Sequence, residues 1–455
     1  MKRLDELMGR IEMKIRKYHP KDAENLKNIC IKTASDVFQG KKLTETALTE
    51  VYCRYYIEHE PESCFVVVDQ NDEAKGYILC AKNYDTFKKV FQEQYLKTWN
   101  LATLIMGNLS LNGLQDFAKE YPAHLHIDLL PECQSKGFGS KLIALLIEHL
   151  KEENIPGLML HVGGHNTGAI RFYKRCGFKE LHIDKLGVLM GMKLMYTKND
   201  LTNDLKNMGL KQTDTIMVHS SMKAIGPVDG GADTVVDAFM EYFKEGLFMT
   251  PTHTWAQMSE EYSLFDPTTE PACVGIIPNI FRQREGVVRS LHPTHSIAAY
   301  GPRAASYIEG EEDVKTPCQP GGCWSRLLEE EAKILMLGCT HIRNTFIHAV
   351  EELLDVPERL TEKPVDFQIK MPDGSVKEVS VHRHYNRLQP HISEEYDKLM
   401  QAYYDCGAAK LVKFGDADCI LCDAKKLYEV TKKVLSHEIN CLIDREEIPR
   451  EWWED

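Results

Sequence analysis

The sequence has no long apolar run. None of its 455 residues falls in a stretch approaching the ~20 apolar residues that a membrane span requires. The opening MKRLDELMGRIEMK alternates charge with apolar residues where a signal peptide would carry an apolar block. A cytoplasmic protein with no membrane association is therefore expected. A basic excess is also missing: 55 Lys and Arg face 68 Asp and Glu, a net charge of −13, which argues against a nucleic-acid partner because phosphates need a basic face. The 14 cysteines sit scattered in apolar contexts such as YILCAK and LMLGCT, the habit of reduced, buried thiols and not of a disulfide framework. The CxxC of Cys419 and Cys422 has no second pair at zinc-ligand spacing, so no metal is expected. Internal repeats and low-complexity segments are likewise missing.

What is present is enough chain for two cores. Charge divides unevenly between them, with a balance of +2 over residues 1–200 and −15 over the remainder. FVVVDQNDEAKGYILCAK reads as a β-hairpin. HLHIDLL (124–130) alternates like a strand and leads through a glycine loop into a run with helical spacing. A strand at 158–162, a helix over HNTGAIRFYKRCGF and a closing strand at 187–196 follow. The polar, cap-rich stretch 197–214 marks the break, with room for a short helix. Beyond it, TIMVHSS, LFMTPT and KILMLGC are apolar strands alternating with helical segments, the nearest helix beginning at Asp233 or Thr234; this order implies a mixed or parallel sheet covered on both faces. VDFQIKMPDGSVKEVSVHRHY reads as an appended hairpin turning at Asp373-Gly374.

Gln134-Ser-Lys-Gly137-Phe-Gly139 lies between strand and helix, where backbone N–H groups and the helix dipole can hold an anion; such a loop also serves simply to reverse the chain. With Asn166-Thr-Gly-Ala-Ile-Arg-Phe172-Tyr173-Lys-Arg-Cys-Gly177-Phe178 it resembles the two signatures of the GCN5-related N-acetyltransferase superfamily, most strongly over residues 124–178. That resemblance implies an acetyl-CoA site: backbone amides near Gln134, Gly137 and Gly139 on the pyrophosphate, Asn166 on the cofactor arm, and Tyr173 protonating the leaving thiolate. Asp128, on the strand before the loop, reads either as a general base or as an ordinary surface carboxylate, and Tyr173 also reads as a packing partner of Phe172 and Phe178.

Five motifs follow in the second part: VHSSMKAIGPVDGGADTVVDAF (218–239), MTPTHTW (249–255), RSLHPTHSIAAYGP (289–302), TPCQPGGCWSRLL (316–328) and ILMLGCTHIRNTFIHAVEEL (334–353). In this order they resemble the aminoglycoside 3-N-acetyltransferase family, also called the antibiotic N-acetyltransferase family, over about residues 200–455. An ammonium must lose a proton before it attacks a thioester, which calls for a base. His292, fixed before Pro293, suits that need, and Glu351, three residues after His348 on one helix face, would raise an imidazole's basicity. The resemblance assigns a catalytic His–Glu pairing to His292 and Glu351, with His348 and His295 nearby. His295 and His348 also read as core histidines. Ser220, Ser221 and Lys223 are expected to contact acetyl-CoA, with Thr252 lining the same groove; serine and aspartate at this turn would equally cap the helix. HRHYN (382–386) reads as a polar strand and not as a metal site.

The expected fold class is α/β with two unrelated domains. Residues 1–197 form a GCN5-related mixed sheet with flanking helices, and residues 198–455 an α/β/α three-layer domain of the aminoglycoside 3-N-acetyltransferase type. The expected function is sequential transfer of acetyl from acetyl-CoA to an amine of an aminoglycoside-like cation, drawn in by the acidic second part. Two alternatives stand beside it. In one the N-terminal domain is a non-catalytic CoA-binding or interaction module; in the other the acceptor is a cell-wall sugar, peptide or metabolite amine and not an antibiotic.

Overall fold

Apolar residues run almost unbroken along β2 (Phe65–Val68) and β3 (Ala74–Ala81), which are buried on both faces and pair antiparallel as expected for a hairpin. This hairpin lies in a seven-stranded sheet of order β1-β2-β3-β4-β5-β7-β6, completed by β1 (Lys14–Lys17), β4 (Ala123–Leu129), β5 (Gly157–Gly163), β6 (Lys179–Ile183) and β7 (Gly187–Lys193). The structure, a computed structural model, describes residues 13–454 except Trp99, Asn112 and Arg445. The first twelve residues of the charged opening run lie outside that set. The chain divides into two compact units, Met1–Met195 and Tyr196–Asp455.

In the first unit, Val66, Tyr77 and Leu79 face a core shared with α1 (Ala23–Thr33), while Val67, Ile78 and Leu160 face one shared with α2 (Phe138–Glu152). A third helix, α3 (Thr167–Arg175), carries Tyr173 into the second of these cores. β4 pairs with β3 along its whole length, but its parallel pairing with β5 covers only Ala123–Leu158 and His124–Met159. From Leu125 onward the two strands splay, which opens one backbone edge of β4 beside the glycine loop.

The second unit opens with α4 (Lys198–Asn207), started by a capping box between Thr197 and Asp200. Its main sheet has the order β11-β12-β9-β8-β13-β17-β16. The strands are β8 (Thr215–Ser220), β9 (Leu247–Pro251), β11 (Val288–Arg289), β12 (Ile297–Tyr300), β13 (Lys333–Leu337), β16 (Ala409–Phe414) and β17 (Ala417–Asp423). β9, β8 and β13 run parallel, with antiparallel strands at both sides. Alternation sends Met217, Met249, Ile334 and Met336 to one face, and Ile216, Val218, Phe248 and Leu335 to the other. The first face is covered by Trp324, α6 (Thr345–Leu353) and α7 (Ala424–His437); the second by α4 and α5 (Gly231–Tyr242). This is the expected α/β/α sandwich, although α5 starts at Gly231, earlier than the sequence suggested.

Cys419 and Cys422 lie three apart on β17, so their thiols enter opposite cores and cannot share an ion. The appended hairpin, β14 (Val365–Lys370) and β15 (Val376–Val381), turns at Asp373-Gly374, where Gly374 adopts a φ of 86°. With β10 (Leu264–Phe265) it makes a separate three-stranded sheet. Among the described residues no helix is long and apolar enough to cross a membrane.

Candidate functional site

Beyond the C-terminal end of β13, the chain turns through Asn344, whose side chain caps α6 by accepting from Phe346 N–H, 3.3 Å away. α6 then aims His348 and Glu351 inward from the same face, one turn apart. Glu351 is 1 % exposed, and three groups take up its carboxylate: Arg359 Nε at 2.7 Å, the Tyr396 hydroxyl at 2.5 Å, and His348 Nδ1 at 3.6 Å. Tyr396 Oη also lies 2.5 Å from His348 Nδ1. Burial pushes the Glu351 carboxyl up, but its polar neighbours His348, Arg359 and Tyr396 outweigh it and hold it below the ordinary carboxylate range. An ionised carboxylate only accepts, so Tyr396 donates its single proton to Glu351. His348 Nδ1–H then donates to Tyr396 Oη, and the lone pair sits on Nε2. Burial, together with neighbouring His384, lowers the His348 pKa to about 4 against the support of Glu351, so the ring is neutral at pH 7.

His384 stacks on His348 with ring centroids 3.9 Å apart, and its Nε2 lies 2.8 Å from Glu352 Oε1. The HRHYN segment therefore belongs to the site and is not merely a polar strand. Glu352 also accepts from Cys318 N–H at 3.0 Å and from the Thr316 hydroxyl. Cys318 Sγ, a Glu352 oxygen and a His384 nitrogen lie within 4.8 Å of one another, a possible ligand set for a metal ion. Their polar atoms already serve one another. His384 Nδ1 is buried without a partner while its Nε2 faces the Glu352 carboxylate, an arrangement that would also leave Nδ1 free to ligate an ion. Through its hydrogen bonds the group forms a brace under the His348 ring.

His292 sits differently from the free base expected of it. Its Nδ1 accepts from the backbone N–H groups of Thr294 and His295 at 3.1 and 3.0 Å, and its Nε2 lies 3.3 Å from the Thr316 carbonyl. The turn around Pro293 does fix the imidazole, as expected, but it spends both ring nitrogens on backbone. Burial lowers its pKa to about 4. His295 links the rings: it lies 5.8 Å from His292, 5.4 Å from His384 and 4.7 Å from His253 by centroids. Thr252 does not line a groove. It is fully buried, bonded to Ser296 and to Arg289.

At the C-terminal end of β8, Ser220 Oγ is buried without a hydrogen-bond partner. Ser221 follows at the start of a short helical turn, and its N–H donates to the Leu337 carbonyl at 2.9 Å, while the Lys223 side chain is exposed. Gly230 and Gly231 take left-handed backbone (φ 73° and 64°) to enter α5, and a Cβ on Gly231 would meet open space. This end of the sheet therefore offers one unsatisfied hydroxyl and the unpaired N–H groups of a helix start.

In the first unit, Gln134, Ser135, Lys136 and Gly137 are exposed, and Gly137 adopts φ 81° as it opens α2. A Cβ on Gly139 would lie 3.0 Å from Phe172, which explains the glycine by close packing of α2 on α3. Gln134 donates to the Leu129 carbonyl at 2.8 Å. Asn166 Oδ1 caps α3 through Ala169 N–H at 3.0 Å, leaving only its amide –NH2 for a ligand. Tyr173 is buried against Phe172 and Phe178, and burial followed by the Asp128 charge pushes its phenol well above the usual range. The Asp128 carboxylate accepts from Tyr77 Oη at 2.8 Å, so it is more than a solvated surface acid.

Sequence reasoning missed Tyr396, Arg359, Glu352 and His384. None stands at a readable spacing from Glu351 except its neighbour Glu352; loops after α6 and β15 deliver the others.

Comparison with known proteins fits both halves of this arrangement. Residues 217–436 match the family model of the aminoglycoside 3-N-acetyltransferases, and residues 33–178 that of the GNAT acetyltransferases. Aminoglycoside N(3)-acetyltransferase VII of Streptomyces paromomycinus is 28 % identical over 278 residues, covering 54 % of this chain and 94 % of that protein. Aminoglycoside N(3)-acetyltransferase III of Salmonella sp is 28 % identical over 258 residues, covering 51 % and 89 %. Among solved structures, AAC-IIIb with CoASH is 22 % identical with a TM-score of 0.48, covering 53 % of this chain and 97 % of that one. The chain thus resembles the GNAT family in its first unit and the aminoglycoside 3-N-acetyltransferase family in its second, both families of acetyltransferases.

Proposed function

We propose that the second unit transfers acetyl from acetyl-CoA to a primary amine of an aminoglycoside-like cation, with His348 as the base. The observation that carries this reading is the path from His348 Nδ1–H through Tyr396 to Glu351, because it fixes the tautomer in which Nε2 can take the amine's proton. Glu351 stabilises the imidazolium that then forms. Arg359 and the brace around Glu352 hold these groups in place, and His292 acts as a positioning residue that secures the turn carrying His295. Glu351 and Glu352 are both committed to partners, so any attraction for a polycation rests on other acids of this unit.

The donor set at the end of β8 fits acetyl-CoA as co-substrate. Ser220 Oγ lacks a partner, and Ser221, Lys223 and the start of α5 would hold the amides and phosphates of its arm. When bound, acetyl-CoA supplies the thioester carbonyl that the amine attacks. In the first unit, the open edge of β4, the Gln134–Gly139 loop and the –NH2 of Asn166 fit the same molecule.

The test is thiol release from acetyl-CoA with an aminoglycoside panel and a second panel of amino sugars, peptides and metabolite amines. His348→Ala and Glu351→Gln should each lower kcat by about 10²-fold or more. Unchanged turnover in both variants overturns the assignment. Turnover with the second panel alone moves the acceptor away from antibiotics.

A further inference from the structure

We propose that the first unit holds a second, independent acetyl-transfer centre in which His126 is the proton acceptor, kept in its working tautomer by Tyr77 and Asp128. The register of the sheet brings these groups together: Tyr77 on β3 stands opposite Asp128 on β4, and Leu79 opposite His126, so all three polar side chains share one face. Tyr77 Oη donates to Asp128 Oδ2 at 2.8 Å and lies 3.2 Å from His126 Nδ1. With the phenol's proton given to the carboxylate, Nδ1–H donates to Oη, and Nε2, 3.9 Å from Asp128 Oδ2, is left as the acceptor whose cation that carboxylate would stabilise. Sequence alone pointed only to Asp128.

The neighbouring histidine shows what an inert one looks like in this sheet. His124, two residues earlier on the same face, is 5 % exposed, has neither ring nitrogen bonded, and packs its ring 4.3 Å from Phe87. His126 keeps 26 % of its side chain exposed and stacks on Tyr52 at 4.9 Å, so a ligand can reach it. It lies on the stretch of β4 that has parted from β5, next to the loop expected to hold the pyrophosphate. Tyr173 enters the core on the other face of this sheet, so acid and base would meet only across the gap where β4 and β5 part. The charged and titratable groups facing His126 are Asp128, Tyr77 and Tyr52.

The reaction balances without another reagent. The amine nitrogen bonds to the thioester carbonyl carbon as the carbon–sulfur bond breaks. The amine's proton passes to His126 Nε2, Tyr173 gives its proton to the departing thiolate, and His126 restores Tyr173 through solvent. The acceptor class is a primary amine whose body lies along the Tyr52–His126 stack. This inference rests on the acetyl-CoA reading of the first unit and not on His348.

The full chain carrying His348→Ala and Glu351→Gln together, which suppress the second unit's turnover, is assayed for thiol release from acetyl-CoA with polyamines, amino sugars, aromatic amines and lysine peptides. Amine-dependent release should persist and fall about 100-fold when His126→Gln is added. Tyr77→Phe, which keeps the ring, should lower kcat and displace the acid limb of the pH profile without altering the KM for acetyl-CoA. If His126→Gln lowers the melting temperature, the Tyr77→Phe profile decides. The proposal is overturned if no amine accelerates release in the chain carrying both substitutions, or if Tyr77→Phe leaves rate and profile unmoved. Complete loss of turnover in that chain would sink it while supporting the proposed function of the second unit.

Discussion

Replacing Tyr396 by Phe removes one oxygen from the second unit's site and leaves the ring in place. His348 Nδ1 and Glu351 Oε2 then face each other across 3.6 Å, too far for a hydrogen bond. Glu351 keeps Arg359 at 2.7 Å, so the carboxylate is not stranded, and the stability loss should be about 1–3 kcal/mol, that of a buried group losing one partner. The kinetic effect should be larger. Without Tyr396 the imidazole tautomer is no longer fixed and its cation loses support from Glu351, so kcat should fall about 10²-fold, the lower end of what a positioned base contributes. Because Glu351 raises the His348 pKa against burial, weakening that link moves the acid limb of kcat to lower pH even as the plateau drops. Thiol release followed across pH, at saturating and limiting acetyl-CoA, separates kcat from KM, which should not change. A variant within about twofold of the parent in kcat, with an unmoved profile, would refute the relay.

Arg359→Met should be costlier to the fold, because it leaves the 1 %-exposed Glu351 with an uncompensated charge; a loss of about 3–5 kcal/mol is expected in chemical denaturation. Acid should weaken the second unit in a defined window. His292, His341 and His348 have pKa values lowered by burial to about 4, so the unfolded chain binds protons first; their stability is full above pH 6.5 and is lost as pH falls from there to about 4. Each is linked to ~3 kcal/mol, and denaturation midpoints that stay flat through the window would contradict this. In the first unit, Gly139→Val places a side chain against Phe172 and should abolish CoA binding there, seen in calorimetry as the loss of one site per chain.

Much of the architecture was legible because buried strands announce themselves: TIMVHSS, LFMTPT and KILMLGC became β8, β9 and β13, adjacent and parallel. The appended hairpin turned where Gly374 permits a left-handed backbone, whereas the β2–β3 hairpin takes that conformation at Asp72. Helical spacing likewise placed His348 and Glu351 on one face of α6. Illegible was everything that depends on where loops return. His292 stood out beside Pro293, yet the same turn folds the N–H groups of Thr294 and His295 onto its Nδ1, a local bond that residue type does not disclose. Arg359 and His384 reach the site from loops, Tyr396 from a short 3-10 helix (Ile392–Leu399) whose spacing does not say what it faces, and Tyr77 meets His126 only through the β3–β4 register.

The main sheet of the second unit divides its own tolerance to change. His219 on β8, Trp324 and the helix bearing His348 and Glu351 all lie on the Met217–Met336 side, while the Val218–Leu335 side meets α4, α5 and the short helix Ile276–Phe281. Substitutions in that second core, away from Ser220 and the start of α5, reach the chemistry only through global unfolding, so they tune lifetime and expression. Substitutions in the first alter turnover and stability together. A library restricted to the α4–α5 side and sparing Ser220 and the α5 start could therefore harden the enzyme without touching its rate, and drift during evolution should run faster there than across the sheet.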